Sequence, residues 1–160
     1  MCSIKVNISK QQLRLYDRHN QLIAEYPVST SKYGIGNQQG SFKTPLGHHQ
    51  ICEKIGDDEA MDEVFIGRKP QGRLSVLKQQ SIDLPEDIIT ARILRLRGQQ
   101  PGLNQGEGID SFERYIYIHG TADEINISKP VSHGCIRMRN EDIVKLYAKV
   151  EVNTDVWIED

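Results

Sequence analysis

The sequence predicts a mainly β, α+β domain that closes with one short helix near the C-terminus. Three observations carry that expectation. Ile4, Val6 and Ile8 alternate with Lys5, Asn7 and Ser9, which is the two-residue period of a half-buried strand. The alternating segments are short and are separated by turn-forming clusters such as residues 17–21. Helical spacing stands out in one place, where Ile143, Leu146, Tyr147 and Val150 fall three and four residues apart.

The elements follow in order. Leu13 and Leu15 alternate with Arg14 and Tyr16 and form a second strand. Residues 22–30 form a third, in which Pro27, having no N–H to donate, points to an edge or a bulge. Connections this short predict an antiparallel meander. Residues 32–47 are loop-like, with Gly34, Gly36, Gly40, Pro45 and Gly47, and residues 49–55 are another strand, with His48 and His49 at its exposed end. Residues 56–72 are acidic, then glycine-rich, and carry no clear period. Residues 87–97 fit a short helix or a strand. Ile93, Arg95 and Arg97 set against Leu94 and Leu96 favour a strand for the second half, and Arg92, Arg95 and Arg97 read as its solvated face. Residues 98–108 are a glycine- and glutamine-rich connector or lid. The apolar run Tyr115-Ile116-Tyr117-Ile118 is a strand that ends at His119. Asn140 is a candidate N-cap, with Glu141 and Asp142 in the first turn where they suit the helix dipole. Residues 155–159 make a last strand with Val156 and Ile158 facing the core. With no repeat or linker, residues 1–160 are expected to form one domain.

Composition narrows the function. A 160-residue chain with a net charge of −2 gives no indication of a nucleic-acid surface. No apolar stretch reaches membrane-spanning length, and Lys5, Asn7, Lys10 and Arg14 interrupt any signal-peptide core, so the chain as written reads as soluble and cytoplasmic. Cys2, Cys52 and Cys135 are too few, and odd in number, for a disulfide framework. Cys52 reads as a small buried hydrophobe and Cys2 as a terminal residue without a role.

Cys135 differs from both. It lies in Ser132-His133-Gly134-Cys135-Ile136-Arg137, downstream of His119-Gly120-Thr121. The thiolate is the reactive form of cysteine, and a nearby imidazole can take the thiol proton. Glycine before a nucleophile permits a tight turn and close approach of substrate to backbone N–H groups, which can hold a developing oxyanion. Two histidines compete for the base. His133 is two residues from Cys135 and shares its side in an extended segment, whereas His119 reaches it across the loop from the strand end. A metal set of His119, His133 and Cys135 with His48 or His49 is the rival reading.

The His119-Gly120-Thr121 and Ser132-His133-Gly134-Cys135 segments resemble the signature of the YkuD-type L,D-transpeptidases, bacterial enzymes that remodel peptidoglycan. Residues 4–9, 12–16, 26–31, 40–47 and 115–121 are similar to the family's hairpin, strands and loops, so the resemblance spans nearly the whole chain. It implies an antiparallel sandwich- or barrel-like β fold with a short C-terminal helix. It also implies a cofactor-free, metal-free reaction. Cys135 attacks a peptidoglycan tetrapeptide stem, D-alanine leaves, and the thioester passes to an amine or to water. In that scheme His119 is the base, the Gly120 carbonyl orients its other nitrogen, and Gly134 and Cys135 supply the oxyanion N–H groups. His133 shapes the site and Ser132 supports it. Arg137 holds a substrate carboxylate or bridges the C-terminal helix to the site. The implied partners are stem peptides or muropeptides, and carbapenems as acylating inhibitors, in the periplasm or cell wall. A carboxypeptidase and a non-catalytic muropeptide binder are the alternatives.

Overall fold

The alternating segments at the N-terminus become three antiparallel strands in the computed structural model, which describes residues 1–160. They are β1 (Ser3–Asn7), β2 (Gln12–Tyr16) and β3 (Leu22–Ser29). Ile4 faces Leu15 and Val6 faces Leu13 across the first pair, and all four are fully buried. Pro27 opposes Gln12 on β2 and lies outside the two-residue register, at Val28 and Ser29, that β3 makes on its other side. That locally unpaired position tolerates the missing N–H.

The remaining elements are β4 (Gly47–Ile55), β5 (Glu63–Ile66), β6 (Lys69–Arg73), α1 (Leu74–Gln79), β7 (Ile89–Gly98), β8 (Tyr117–Thr121), β9 (Ile136–Met138), α2 (Asn140–Lys149) and β10 (Asp155–Glu159). The strand order β4-β10-β1-β2-β3-β9-β8-β7 closes into a barrel because β7 also pairs with β4. The β5–β6 hairpin joins at the start of β7. The β-rich fold with its C-terminal helix matches the expectation, but two joins, β1–β10 and β8–β9, are parallel rather than antiparallel. A parallel join needs a crossover of roughly a dozen residues or more, and residues 122–135 provide it between β8 and β9.

β7 explains the ambiguity of residues 87–97. It pairs with β8 through a bulge between Thr90 and Ile93, where Ala91 has φ +69°, so regular alternation resumes only at Ile93. Beyond the bulge both faces are covered. Leu94 and Leu96 enter the main core, while Ile93 joins Phe65 and Tyr117 in a smaller cluster on the opposite face. Arg95 shares that second face and is buried, not solvated. It pairs with Glu53 at 3.1 Å and lies 3.6 Å over the Phe112 ring. The stretch 56–72, without a sequence period, holds the β5–β6 hairpin, whose Val64 and Phe65 are buried.

α2 buries Ile143, Leu146 and Tyr147, with Val150 just beyond it, against β7 and β8. Asn140 is its first residue and not its cap. The Asn140 side chain instead accepts from Thr90 Oγ1 at 2.5 Å and donates to the Thr121 carbonyl and Glu124 at 3.1 Å each. Residues 98–108 are a pinned connector, since the buried Asn104 donates to the carbonyls of Leu46 and His48. His48 stacks on Trp157 and pairs with Asp155, but His49 is fully buried, contrary to the exposed end expected for it. Its Nδ1–H donates to the Gly47 carbonyl and its Nε2 accepts from Ser111 Oγ.

That burial has a consequence for acid stability. Desolvation drives His49 from 6.5 to about 4. Between these values the unfolded chain binds a proton that the folded chain does not, so His49 makes stability fall as pH drops from 6.5 towards 4. The contribution reaches about 3 kcal/mol. Urea denaturation at a series of pH values should show this loss, and a His49→Gln variant should show a correspondingly flatter dependence over the same window.

Candidate active site

The parallel pairing of β8 with β9 places His119 opposite Arg137, and the β7 register places Ile93 opposite His119 and Arg95 opposite Tyr117. Residues directly paired across strands share a face, as do residues two apart along one strand. His119, Tyr117, Arg137 and Cys135 therefore rise from one face of the sheet, while Ile118, Ile136 and Met138 enter the core on the other. His119 lies inside β8, not at its end, which makes its placement more rigid than the sequence suggested.

Cys135 is the last residue of a loop held by short polar contacts. Ser132 is fully buried and exchanges backbone bonds with Thr30 and Lys32. Its Oγ donates to the Cys135 carbonyl at 2.6 Å and accepts from the Gly134 N–H at 3.3 Å. Thr44 Oγ1 donates to the Gly134 carbonyl and accepts from the Ser31 N–H, both at 3.0 Å. Gly134 adopts φ +124°, and a Cβ there would press on the Lys43 carbonyl, so the turn that presents Cys135 requires glycine. Of the two N–H groups expected to face an oxyanion, that of Gly134 is engaged by Ser132, whereas that of Cys135 donates to no protein acceptor.

The thiol rests in a polar cradle. Its S–H donates to the Tyr115 carbonyl and its sulfur accepts from the Tyr117 N–H, each at 3.3 Å. The side chain keeps some contact with solvent, but protein encloses the sulfur on most sides, and burial pushes the thiol up to about 12 against the pull of the Tyr117 N–H. Cys135 is therefore a neutral thiol at physiological pH. No hydrogen bond joins it to His119.

His119 is 1% exposed. Its Nδ1–H donates to the Gly120 carbonyl at 2.6 Å, which leaves Nε2 as the free basic nitrogen. Burial lowers its proton affinity, partly offset by the charge of Asp87 and by the Gly120 carbonyl. A Cβ on Gly120 would collide with Asn140 and the Thr90 carbonyl, so glycine is required where β8 packs against the start of α2.

Asp87 had no signal in the sequence, because it reaches the site from the segment before β7. It lies 2.9 Å from Arg137 Nη2 and 3.6 Å from His133 Nδ1. The Arg137 contact is close enough for an ion pair but off the N–H axis, leaving Asp87 Oδ1 and Arg137 Nε buried without an aligned partner. Burial alone would raise the Asp87 carboxyl, but His119 and Arg137 hold it below the ordinary range. Arg137 also approaches Asp123 at 3.8 Å, so its contacts run to two carboxylates and not to α2. His133 forms a wall shared by two clefts. One, of about 310 Å³, is charged and includes Lys32, Asp87, Asp123 and Arg137. The other, of about 220 Å³, includes Phe42, Arg114, Tyr115 and Ile116. The histidines of β4 do not reach this region, and no group of three or more His, Cys, Asp or Glu side chains is gathered to hold a metal.

A cysteine at the mouth of one strand and a buried histidine on the parallel strand beside it, each fixed by backbone carbonyls, can be set beside known proteins. Residues 3–158 match the YkuD family of L,D-transpeptidase catalytic domains. The chain belongs to that family. Over 155 residues this L,D-transpeptidase domain is 27% identical to the putative L,D-transpeptidase YkuD of Bacillus licheniformis, covering 97% of the chain and 64% of that protein. It is 26% identical over the same length to the probable L,D-transpeptidase YcfS of Escherichia coli, covering 97% of the chain and 43% of that protein. Its fold is similar to L,D-transpeptidase 3 from Mycobacterium tuberculosis, solved in complex with a faropenem-derived adduct. That match has a TM-score of 0.60 at 14% identity and covers 99% of the chain and 60% of that structure. The domain thus spans less than two thirds of each of these relatives.

The resting electrostatics of this L,D-transpeptidase domain can be tested on the thiol itself. Alkylation of Cys135 by iodoacetamide, followed by peptide mass mapping, should be slower at neutral pH than that of a free small-molecule thiol, and should keep rising beyond about pH 9. A rate that levels off near neutrality would show a thiolate already formed.

Proposed function

We propose that this domain is a cysteine acyltransferase acting on peptidoglycan tetrapeptide stems. The observation that carries the reading is that the β8–β9 register, His119 against Arg137, sets His119 and Cys135 on one face of the sheet, with His119 Nε2 left free by the Nδ1 bond to Gly120. The thiol leaves its resting bond to Tyr115 and gives its proton to Nε2 as the sulfur attacks the carbonyl carbon of the third stem residue. The Cys135 N–H, which has no protein acceptor, donates to the resulting oxyanion. Collapse breaks the peptide bond, His119 passes its proton to the leaving D-alanine nitrogen, and a thioester remains. An acceptor amine then attacks the thioester, loses a proton to His119 and forms the new amide while the thiol is restored. Water in place of the amine gives the free acid.

The other site residues support these two. Ser132, Gly134 and Thr44 fix the loop, His133 divides the clefts, and Arg137 with Asp87 and Asp123 presents a charged wall to the substrate. The absence of a Cys135–His119 hydrogen bond fits a site that tightens when substrate arrives. Penem and carbapenem β-lactams are expected to acylate Cys135 by the same attack, and residues 1–160 act as one unit carrying the site.

Incubating the protein with a defined tetrapeptide stem, with and without an amine, should release D-alanine and give cross-linked or trimmed product by mass. Cys135→Ala should abolish release, and His119→Ala should slow it by about 10²- to 10⁴-fold. His49→Ala, far from the site, should leave the chemistry of the folded fraction unchanged. Release of D-alanine by Cys135→Ala at the parent rate, or binding of the stem without turnover, would defeat this reading.

A further inference from the structure

Two guanidinium groups flank Cys135, and they differ in what balances them. Arg137 lies between Asp87 and Asp123. Arg114, on the opposite side, comes from the turn before β8 and reaches back to the loop that carries Phe42. It donates to the Gly36 carbonyl at 3.3 Å, to Ser41 Oγ at 3.4 Å and to the Lys43 carbonyl at 2.6 Å. All three acceptors are neutral, and no carboxylate lies within ion-pair distance of it. Glu113 stands exposed at the cleft rim without turning to its neighbour.

A partly buried guanidinium among neutral carbonyls is an incomplete electrostatic arrangement. It keeps its charge under all ordinary conditions, and burial without an anion is unfavourable. Burial opposes the charge of Arg114, and while the Cys135 thiol is neutral nothing anionic beside it offsets that cost. Planar geometry also suits a guanidinium to grip a carboxylate with two hydrogen bonds.

The surroundings limit what that carboxylate belongs to. The cleft that Arg114 lines, of about 220 Å³, has room for one small residue, and Phe42, Tyr115 and Ile116 give it apolar walls. Phe42 and Tyr115 have φ +58° and +56°, a left-handed backbone that bulky residues rarely adopt, and both side chains are exposed. Phe42 is held there by a bond from Ser31 Oγ to its carbonyl. The Tyr115 carbonyl accepts the Cys135 S–H, so a residue of the cleft wall is in direct contact with the sulfur.

We propose that Arg114 binds the free α-carboxylate of the residue that leaves the acyl donor, making the cleft between Phe42 and Tyr115 the leaving-group subsite. The inference rests on the acyl-transfer reading above. A stem that ends one residue past the scissile bond carries its carboxylate within that single small residue. A stem extended or amidated at that point offers a neutral group and leaves Arg114 unbalanced. Arg137, already facing two carboxylates, contributes hydrogen bonds on the other side of His133 but no unbalanced charge.

The test compares a tetrapeptide stem with its C-terminal amide, using kcat/KM for release of the last residue measured by mass. Wild-type protein should prefer the acid by about 10- to 100-fold, the range of a charge-assisted hydrogen bond. Arg114→Gln should bring the ratio close to one, and Arg114→Lys should restore much of it. Both substrates meet the same thiol and the same loop, so any effect of a substitution on Cys135 or on folding cancels in the ratio. Equal use of acid and amide by wild-type protein overturns the proposal even if Arg114→Gln fails to fold, and so does a preference that survives in Arg114→Gln. Failure of the acyl-transfer reading looks different: wild-type protein would release the last residue from neither substrate, and the subsite would fall with it.

Discussion

The parallel join between β8 and β9 is the constraint on which the site depends. It sets His119 against Arg137 and brings Cys135 to the same face, using three residues of β9 and the crossover that precedes it. A one-residue slip would turn every side chain of β9 to the other face, sending Cys135 and Arg137 into the core and Ile136 out of it. The register is held because Ile136 and Met138 are fully buried alongside Ile118. Core packing and site geometry are therefore one requirement seen from the two sides of a sheet.

The electrostatics follow from that placement. A thiol and an imidazole both enclosed by protein are both driven towards their neutral forms, the thiol upward and the imidazole downward. The resting site is a neutral pair, not a thiolate–imidazolium pair, with the thiol proton directed to Tyr115 and the imidazole proton to Gly120. Such a site has little reactivity towards bystander electrophiles. Asp87, through its charge on His119, keeps the base from becoming too weak.

Much of this was legible in the sequence, for reasons that differ by residue. Ile4, Val6, Leu13 and Leu15 announced their strands because each packs one face only. Arg95 misled because a strand covered on both faces breaks the rule that charge marks solvent, and Ala91 concealed the first half of β7 inside a bulge. Asn140 misled because its amide serves Thr90 and Thr121 rather than the helix end. His119, Gly120, Ser132, Gly134 and Cys135 stood out because reactive and turn-forming residues were close together in the chain. Asp87, Thr44 and Arg114 come from distant loops with no local pattern, and only the fold brings them to Cys135.

The central claim is that a neutral imidazole takes a proton from a neutral thiol only as substrate arrives. The pH dependence of kcat/KM for D-alanine release tests it most directly, since it reports the groups of the free enzyme. The structure predicts one acidic limb, below the ordinary histidine value of 6.5, as His119 loses its capacity to accept a proton. Above it the profile should stay flat into the alkaline range, because the thiol ionises only near 12. A bell with a falling limb near about pH 8 to 9 would mark a thiolate–imidazolium pair in the resting enzyme and would contradict the account.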